Sequence, residues 1–576
     1  MARRLRSIRR RDSKHAEALK ELPALLARIF TARGVSESAD LDLAFSALLP
    51  PSLLKGLPAA TERLQQALES DERILIVGDF DADGATSTAL AIKALRQFGA
   101  QHVDYLVPNR FEFGYGLTPG IVALGAERKP DLIITVDNGI SSIDGVAAAN
   151  AAGIEVLITD HHLPGEELPD ASAIVNPNQK GCEFPSKALA GVGVMFYLLL
   201  ALRTRLRDQD WFARKDLEEP HLGSFLDLVA LGTVADVVPL DHNNRILIEG
   251  GLSRMRSGRA RPGIDALLSV AGRDPMTVVA SDLGFAAGPR LNAAGRLDDM
   301  SLGIECLLSE DPAHARSIAL QLDGMNRERQ RIERGMEQEA LAALDKLSLK
   351  ETDLPAALIL HDPHWHQGVV GILASRIKDR FHRPVIAFAG SGDGELKGSG
   401  RGIPGMHLRD LLDVVATSHP GLIDRFGGHA MAAGLSLKEA HFDQFAEAFT
   451  DAVQSAGGLS LEPVLESDGE LTPTDFDLST AELLRNAGPW GQMFPEPLFD
   501  GVFELRSQRI VGERHLKMSL AKPGDGAALD AIAFGVDTDV WPDSSVKQVQ
   551  LAYRLDVNQF RGERRLQLLV EQIEAV

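Results

Sequence analysis

Between about residue 72 and residue 240 the chain repeats one pattern: a short apolar run, then a stretch with helical spacing. The runs are "RILIVGDF", "HVDYLVP", "DLIITVDNG", "IEVLITDHH" and "SAIVNP", with segments such as "ATSTALAIKALRQFG" and "GVAAANAAG" between them. Strands that are apolar along their whole length have no face to offer water, so helices must cover both sides. The alternation therefore predicts an α/β fold built on a parallel sheet. Parallel strands all point one way, and whatever follows their carboxyl ends gathers along one edge, where ligands bind. Here those ends carry "GDFDADG", "VDNG" and "TDHH".

A chain of 576 residues is too long for one core, and three or four domains are expected. Residues 1–46 read as a basic, helical N-terminal segment, and 47–310 hold the parallel sheet. Residues 311–348 read as a connecting helix: from Pro312 to about Leu347 no further proline occurs and the charge load is heavy. That is roughly 50 Å of helix, polar on most faces, which bridges two domains. Residues 349–458 form a second, smaller α/β domain. Residues 459–576 alternate in short strands and read as a β-barrel of the oligonucleotide-binding (OB) type in preference to a sandwich. There "QFRGERRLQ" puts Phe560, Arg561, Arg564 and Arg565 on one hairpin, as a single-strand-binding surface or as a solvated edge.

The net charge of −21 excludes a protein that coats duplex DNA by charge alone, but leaves room for a local basic groove. Cys182 and Cys306, far apart in the chain, exclude a disulfide scaffold and point to a reducing cytoplasm. The start, "MARRLRSIRRRDSKHAEALK", lacks the apolar core of a secretory signal. It reads as a solvated tail or first helix, with contact to nucleic acid or membrane as the alternative. The longest apolar run, "VGVMFYLLLAL", is too short to span a bilayer. A cytoplasmic monomer without membrane association is the expectation.

Asp79, Asp81 and Asp83 alternate in "GDFDADG" like the front of a calcium-binding EF-hand loop. Position twelve, where such a loop needs glutamate, is Leu90, and the preceding "RILIV" is a strand. If the chain stays extended past Val77, the three aspartates share a face; without a cation they would repel and partly protonate. Asp137 ends the third strand, and Asp160, His161 and His162 end the fourth. Asp236, in the apolar "LGTVADVVPL", could by itself cap a helix; beside three acidic strand ends it reads as a ligand. Carboxylates with one or two imidazoles suit Mn²⁺ or Mg²⁺ better than Zn²⁺. The set suffices for two ions about 4 Å apart, which clamp the attacking and leaving oxygens of a phosphoryl displacement. Phosphoester hydrolysis is the reaction class; a structural metal or a solvated acidic rim is the alternative.

Together, "DFDADG", "VDNG", "DHH" (160–162) and "GTVADVVPL" resemble the four motifs of the DHH phosphoesterase superfamily. "GPRLNAAGRL" (288–297), "HWHQGVVGILASR" (364–376), "GSGRG" (398–402) and "FGGHAMAAG" (426–434) extend the resemblance, in order and over nearly the whole chain, to its RecJ-type exonucleases. The resemblance implies a single-strand-specific 5′→3′ DNA exonuclease of repair and recombination, releasing 5′-mononucleotides, with 349–458 as a DHHA1 substrate-binding domain. It implies that Asp81, Asp83, Asp137, His161 and Asp236 hold two Mn²⁺ or Mg²⁺ ions, with Asp137 as the bridge. Asp79 and His162 lie close by, as ligands or neighbours, and Asp160 orients a histidine; no protein nucleophile is needed. Ser399 and Arg401, joined by Arg110, bind the 5′ phosphate, although "GSGRG" by itself could be a plain turn. Arg290, Asn292 and Arg296 contact the backbone near the metals. Gly427, Gly428 and His429 form a tight loop opening a helix near Ala430, and His429 donates to the scissile phosphate. His361, His364 and His366 lack an acidic cluster and read as substrate-facing or structural. Expected partners are single-stranded DNA, a single-strand-binding protein and a RecQ-like helicase. A shorter DHH phosphodiesterase for oligonucleotides or cyclic dinucleotides is disfavoured by the connecting helix and the C-terminal β domain. A dead replication scaffold is disfavoured by the intact acid and histidine set.

Overall fold

The computed structural model describes residues 5–13, 19–108, 115–346, 354–392, 394–456, 461–522, 527–560 and 562–576. After a short strand β1 (Ser7–Arg10), the chain builds a parallel sheet from β2 (Ile74–Gly78), β3 (Val103–Leu106), β4 (Leu132–Val136), β5 (Glu155–Thr159) and β6 (Ala173–Val175). The strand order is β3-β2-β4-β5-β6. Every residue of β2 and β4 is buried. Ile74 and Ile76 enter one core with the Leu57–Glu69, Ala82–Gln97 and Gly191–Asp208 helices; Leu75 and Val77 enter a second with the Pro119–Ala126 and Ile143–Ala151 helices. Alternate side chains thus leave on opposite faces and each face has its helical layer, which is why these strands lack polar positions.

The Pro312–Lys346 helix runs 35 residues, about 52 Å. Ala315, Ile318, Ala319 and Leu322 in its first half belong to the catalytic-domain core. Met336, Ala340 and Leu344 in its second half pack with Leu358, Val385 and Ala387 of the next domain. Asp323 pairs with Arg290 at 2.7 Å and Glu333 with Arg376 at 2.8 Å, so each domain is also tied to the helix by charge.

The second sheet comprises β7 (Leu358–Asp362), β8 (Val385–Gly392), β9 (Glu395–Arg401), β10 (Arg425–Gly428) and β11 (Ala432–Lys438), in the order β10-β11-β9-β8-β7. Only β7 and β8 run parallel. β12 (Val464–Ser467) leads into β13 (Phe499–Val511), β14 (His515–Ala521), β15 (Leu529–Ala533), β16 (Gln548–Phe560) and β17 (Glu563–Ala575). The last five close into a barrel, β13-β14-β15-β17-β16, around Phe499, Phe503, Met518 and Tyr553.

Within the basic start the expectation of a tail or helix is corrected for Ser7–Arg10, where β1 pairs in parallel with β12; residues 1–4 and 14–18 lie outside the described residues. Arg9 pairs with Glu466, Arg10 with Glu470 and Asp500, and Arg11 with Glu466. Acidic partners from the far end of the chain absorb that charge. On the barrel hairpin Arg564 pairs with Glu482 and Arg565 with Glu563, while Arg561 and the Phe560 side chain lie outside the described residues. Among the described residues no helix is long and apolar enough to cross a membrane.

Candidate metal centre and substrate cleft

In the first sheet Gly78 pairs with Val136 and Val136 with Thr159. The residues that follow, Asp79, Asp137 and Asp160, therefore leave three neighbouring strand ends side by side. The extended run of aspartates is corrected. β2 stops at Gly78 and a helix begins at Ala82. Asp81 is its N-cap, accepting the Asp83 and Gly84 amides at 2.9 and 3.0 Å, as short acidic side chains do at helix starts. Asp83 lies inside the first turn, and its carboxylate accepts the Gly191 and Val192 amides at 2.6 and 2.9 Å. The N-terminus of the Gly191–Asp208 helix thus holds a buried acid. A Cβ at Gly191 would lie 2.6 Å from the Asp137 Cβ, so only glycine lets that helix approach.

Asp137 has φ 63°, a left-handed conformation that aspartate tolerates better than most residues. Asp137 Oδ1 lies 3.1 Å from His161 Nε2, which lies 3.5 Å from Asp236 Oδ2. All three atoms are buried and none has a hydrogen-bond partner. Asp236 caps the C-terminal end of the Leu226–Ala235 helix rather than ending a strand. Burial and mutual repulsion push Asp83 and Asp236 up to about 7 and Asp137 well above the carboxylate range, while burial holds His161 neutral. Orphaned, buried oxygens around a neutral imidazole nitrogen are what a divalent cation resolves. Three overlapping groups have ligand atoms within 4.8 Å of one another: Asp79, Asp81 and Asp137; Asp83, His161 and Asp236; Asp137, His161 and His162. Asp137 is common to two of them, as a bridge would be. The donor set fits two oxygen-preferring ions.

His162 is engaged otherwise. Its Nδ1 lies 2.7 Å from Asp160 Oδ1. Burial opposes charge on both groups, but their attraction wins: Asp160 falls to about 2 and His162 rises to about 9. Across the cleft the His429 ring stacks on His162 at 5.4 Å, and burial and that neighbouring cation press His429 down to about 4. The helix expected near Ala430 is corrected: His429 sits in the turn between β10 and β11, donating its amide to Ala432 O at 2.7 Å. Gly428 has φ 140°, and a Cβ there would lie 2.4 Å from Ala432 O; Gly427 has open space. No helix could start inside that hairpin.

Ser399 and Arg401 share a face of β9. A Cβ at Gly371 would lie 3.3 Å from Ser399 Oγ and 2.8 Å from Arg401 Nη2, so both side chains meet the first turn of the Val370–Phe381 helix. Arg401 donates to Gly400 O at 2.8 Å, and no carboxylate pairs with it among the described residues. Asn292 accepts the Ala82 amide at 2.8 Å and so props the Asp81 turn. Arg290 pairs with Asp323 at 2.7 Å, and Arg296 reaches Gly368 O at 3.2 Å, so each ties elements of the fold together. Arg110 lies outside the described residues. His361 packs on Phe442, and His366 Nδ1 accepts the Gly368 amide. Sequence reading missed Tyr115, whose hydroxyl lies 3.3 Å from Asp137 O and 3.2 Å from His162 Nε2; an aromatic between two glycines was the available signal.

The DHH family N-terminal domain matches residues 73–233, the DHHA1 domain 354–455 and the RecJ OB domain 467–572. The single-stranded-DNA-specific exonuclease RecJ of Dickeya dadantii is 60% identical over 98% of both chains. The chain belongs to the RecJ family. The RecJ of Escherichia coli is 56% identical, again over 98% of both chains. The crystal structure of Thermus thermophilus RecJ in complex with Mn²⁺ superposes with a TM-score of 0.80 at 30% identity, over 99% of this chain and 79% of that one. A second structure of that RecJ is a complex with Mg²⁺. RecJ membership joins the three modules into one architecture: acid cluster, facing histidine hairpin and barrel.

Proposed function

We propose that this chain is a single-strand-specific DNA exonuclease that works 5′→3′ and releases 5′-mononucleotides, using two Mn²⁺ or Mg²⁺ ions. The observation that carries the reading is the buried, orphaned trio Asp137 Oδ1, His161 Nε2 and Asp236 Oδ2, in a chain most of whose length matches RecJ. When bound, the two ions supply Lewis acidity to the phosphate and a water nucleophile at neutral pH. Asp81, Asp83, Asp137, His161 and Asp236 hold them, with Asp79 beside Asp81 and Asp137 completing one group. Asp160 keeps His162 protonated and aimed, so that a fixed positive charge faces the phosphate oxygens. His429 closes the cleft from the second domain, where its imidazole can donate a hydrogen bond to the same phosphate. Ser399, Arg401 and the first turn of the Val370–Phe381 helix form a pocket for the 5′ phosphate. Anchoring the 5′ phosphate there would let the enzyme remove one nucleotide at a time from that end. The enzyme acts as a cytoplasmic monomer, where a single-strand-binding protein and a RecQ-like helicase keep its substrate open.

Oligonucleotides labelled at the 5′ or 3′ end, single- and double-stranded, test the reading. Mn²⁺-dependent loss of the 5′ label from single strands is expected; shortening from the 3′ end, or degradation unaffected by a chelator, overturns it.

A further inference from the structure

Phe285 is 84% exposed, the largest exposure of any aromatic side chain among the described hydrophobic residues. It sits in a π-turn, Leu283–Ala287, that runs straight into the Gly288–Leu297 helix. The sequence "LGFAAGPR" explains the turn. Pro289 has no amide to give the carbonyl four residues back, which is that of Phe285, and its ring would strike that carbonyl in an ordinary α-helix. The Gly288 amide instead reaches Leu283 O, one residue further, and the widened turn holds Phe285 outward. Such bulges recur at functional sites.

The turn lies at the edge of the metal centre. Cβ atoms at Gly284 and Gly288 would stand 3.2 Å from Val234 Cγ1 and 3.1 Å from Ala235 Cβ, the last residues before Asp236. Val237, next to Asp236, has φ 62° and is 63% exposed; a β-branched residue in that conformation is an outlier. Downstream, Asn292 of the same helix props the Ala82 amide, about 10 Å along the axis from Phe285. Two unusual backbone features thus place two apolar side chains in water beside the acid cluster, where packing would otherwise have drawn them in.

We propose that Phe285, together with Val237 in the segment that follows Asp236, is a nucleobase-stacking step on the path of the single strand beyond the metal centre. It takes a base of any identity, because every base has a π-face, and bases inside a duplex have both faces covered by their stacked neighbours, so the step favours single strands. The proposal rests on the exonuclease reading above.

The test uses the full-length enzyme with Mn²⁺ and a 5′-phosphorylated single-stranded 20-mer, together with a set in which one nucleotide at a time, from the second to the sixth, lacks its base. F285A is expected to raise KM about tenfold with the loss confined to KM, and F285W to restore it. On the wild type, one or two adjacent abasic positions should raise KM to a similar degree; with F285A those same positions should cause no further rise. An unchanged KM in F285A, as would follow if Phe285 docks a protein partner, overturns the proposal. So does a loss that adds fully to every abasic position. Circular dichroism melting of each variant separates misfolding from lost binding, and V237A provides a second variant at the same step. Failure of the wild type to degrade single strands would sink the exonuclease reading; degradation with a normal F285A would sink only this one.

Discussion

The two five-stranded sheets put their chemistry in different places. In β2–β6 all strands run parallel, and the polar groups that matter, Asp79, Asp137 and Asp160 to His162, follow strand ends on one edge. In β7–β11 the sheet is mixed, and it contributes Ser399 and Arg401 from the last three residues of β9 and, from a hairpin turn, His429. A parallel sheet gathers its carboxyl ends whatever the helices between them do. A mixed sheet has strand ends at both edges, so only its folded geometry says which residues face the cleft. The first sheet is built to concentrate negative charge, and the second presents cationic and neutral donors opposite it.

The contrast is broken most severely at the acid cluster. Asp137→Asn removes the carboxylate common to two ligand groups and should cost roughly a thousandfold or more in kcat, with single-strand affinity largely kept in a filter-binding assay. The same variant should lose the rise in melting temperature that Mn²⁺ gives the wild type, expected from about 2.7 kcal/mol of stabilisation at a hundred times Kd. Normal turnover in this variant would remove Asp137 from the centre. Asp160→Asn, one step out, leaves His162 without its anion and should lower kcat about 10- to 100-fold, read by single-turnover cleavage.

The second sheet is probed by Arg401→Ala. Loss of a charge-assisted contact of about 1.5–3 kcal/mol should erase most of the preference for 5′-phosphorylated over 5′-hydroxyl oligonucleotides, and lysine should not restore it. If the preference survives, the 5′-phosphate pocket lies elsewhere. The smallest effect belongs to the basic start. Arg9→Ala breaks an exposed pair with Glu466 worth less than about 1 kcal/mol. Melting temperature, KM and its salt dependence should all stay within error; a shallower salt slope would instead put β1 on the DNA.

Much of this site was legible as text. Asp137, His161 and Asp236 converge as the acidic strand ends and motif spacing implied, and the bridging helix runs where proline ceases and charge accumulates. Other parts were not. "GDFDADG" reads as an alternating strand, yet the helix cap at Asp81 ends the extension and sends Asp83 into the Gly191–Asp208 helix start. "FGGHAMAAG" reads as a helix start because glycine and alanine carry no period; pairing with β9 makes it a hairpin. Arg290 and Arg296 read as residues for the DNA backbone, and only the fold shows that Asp323 stands beside the first and Gly368 O beside the second.

By itself the sequence determined the parallel sheet, the gathering of acids at one edge and the class of ion that such a donor set suits, because apolar periodicity and ligand chemistry are local properties. Tertiary structure alone decided what stands beside each arginine, that His429 stacks on His162, and that Ser7–Arg10 is a strand whose arginines pair with acids of the C-terminal module. Each of those depends on partners tens to hundreds of residues away, and a charge or ring has no function until the fold has chosen what stands opposite it.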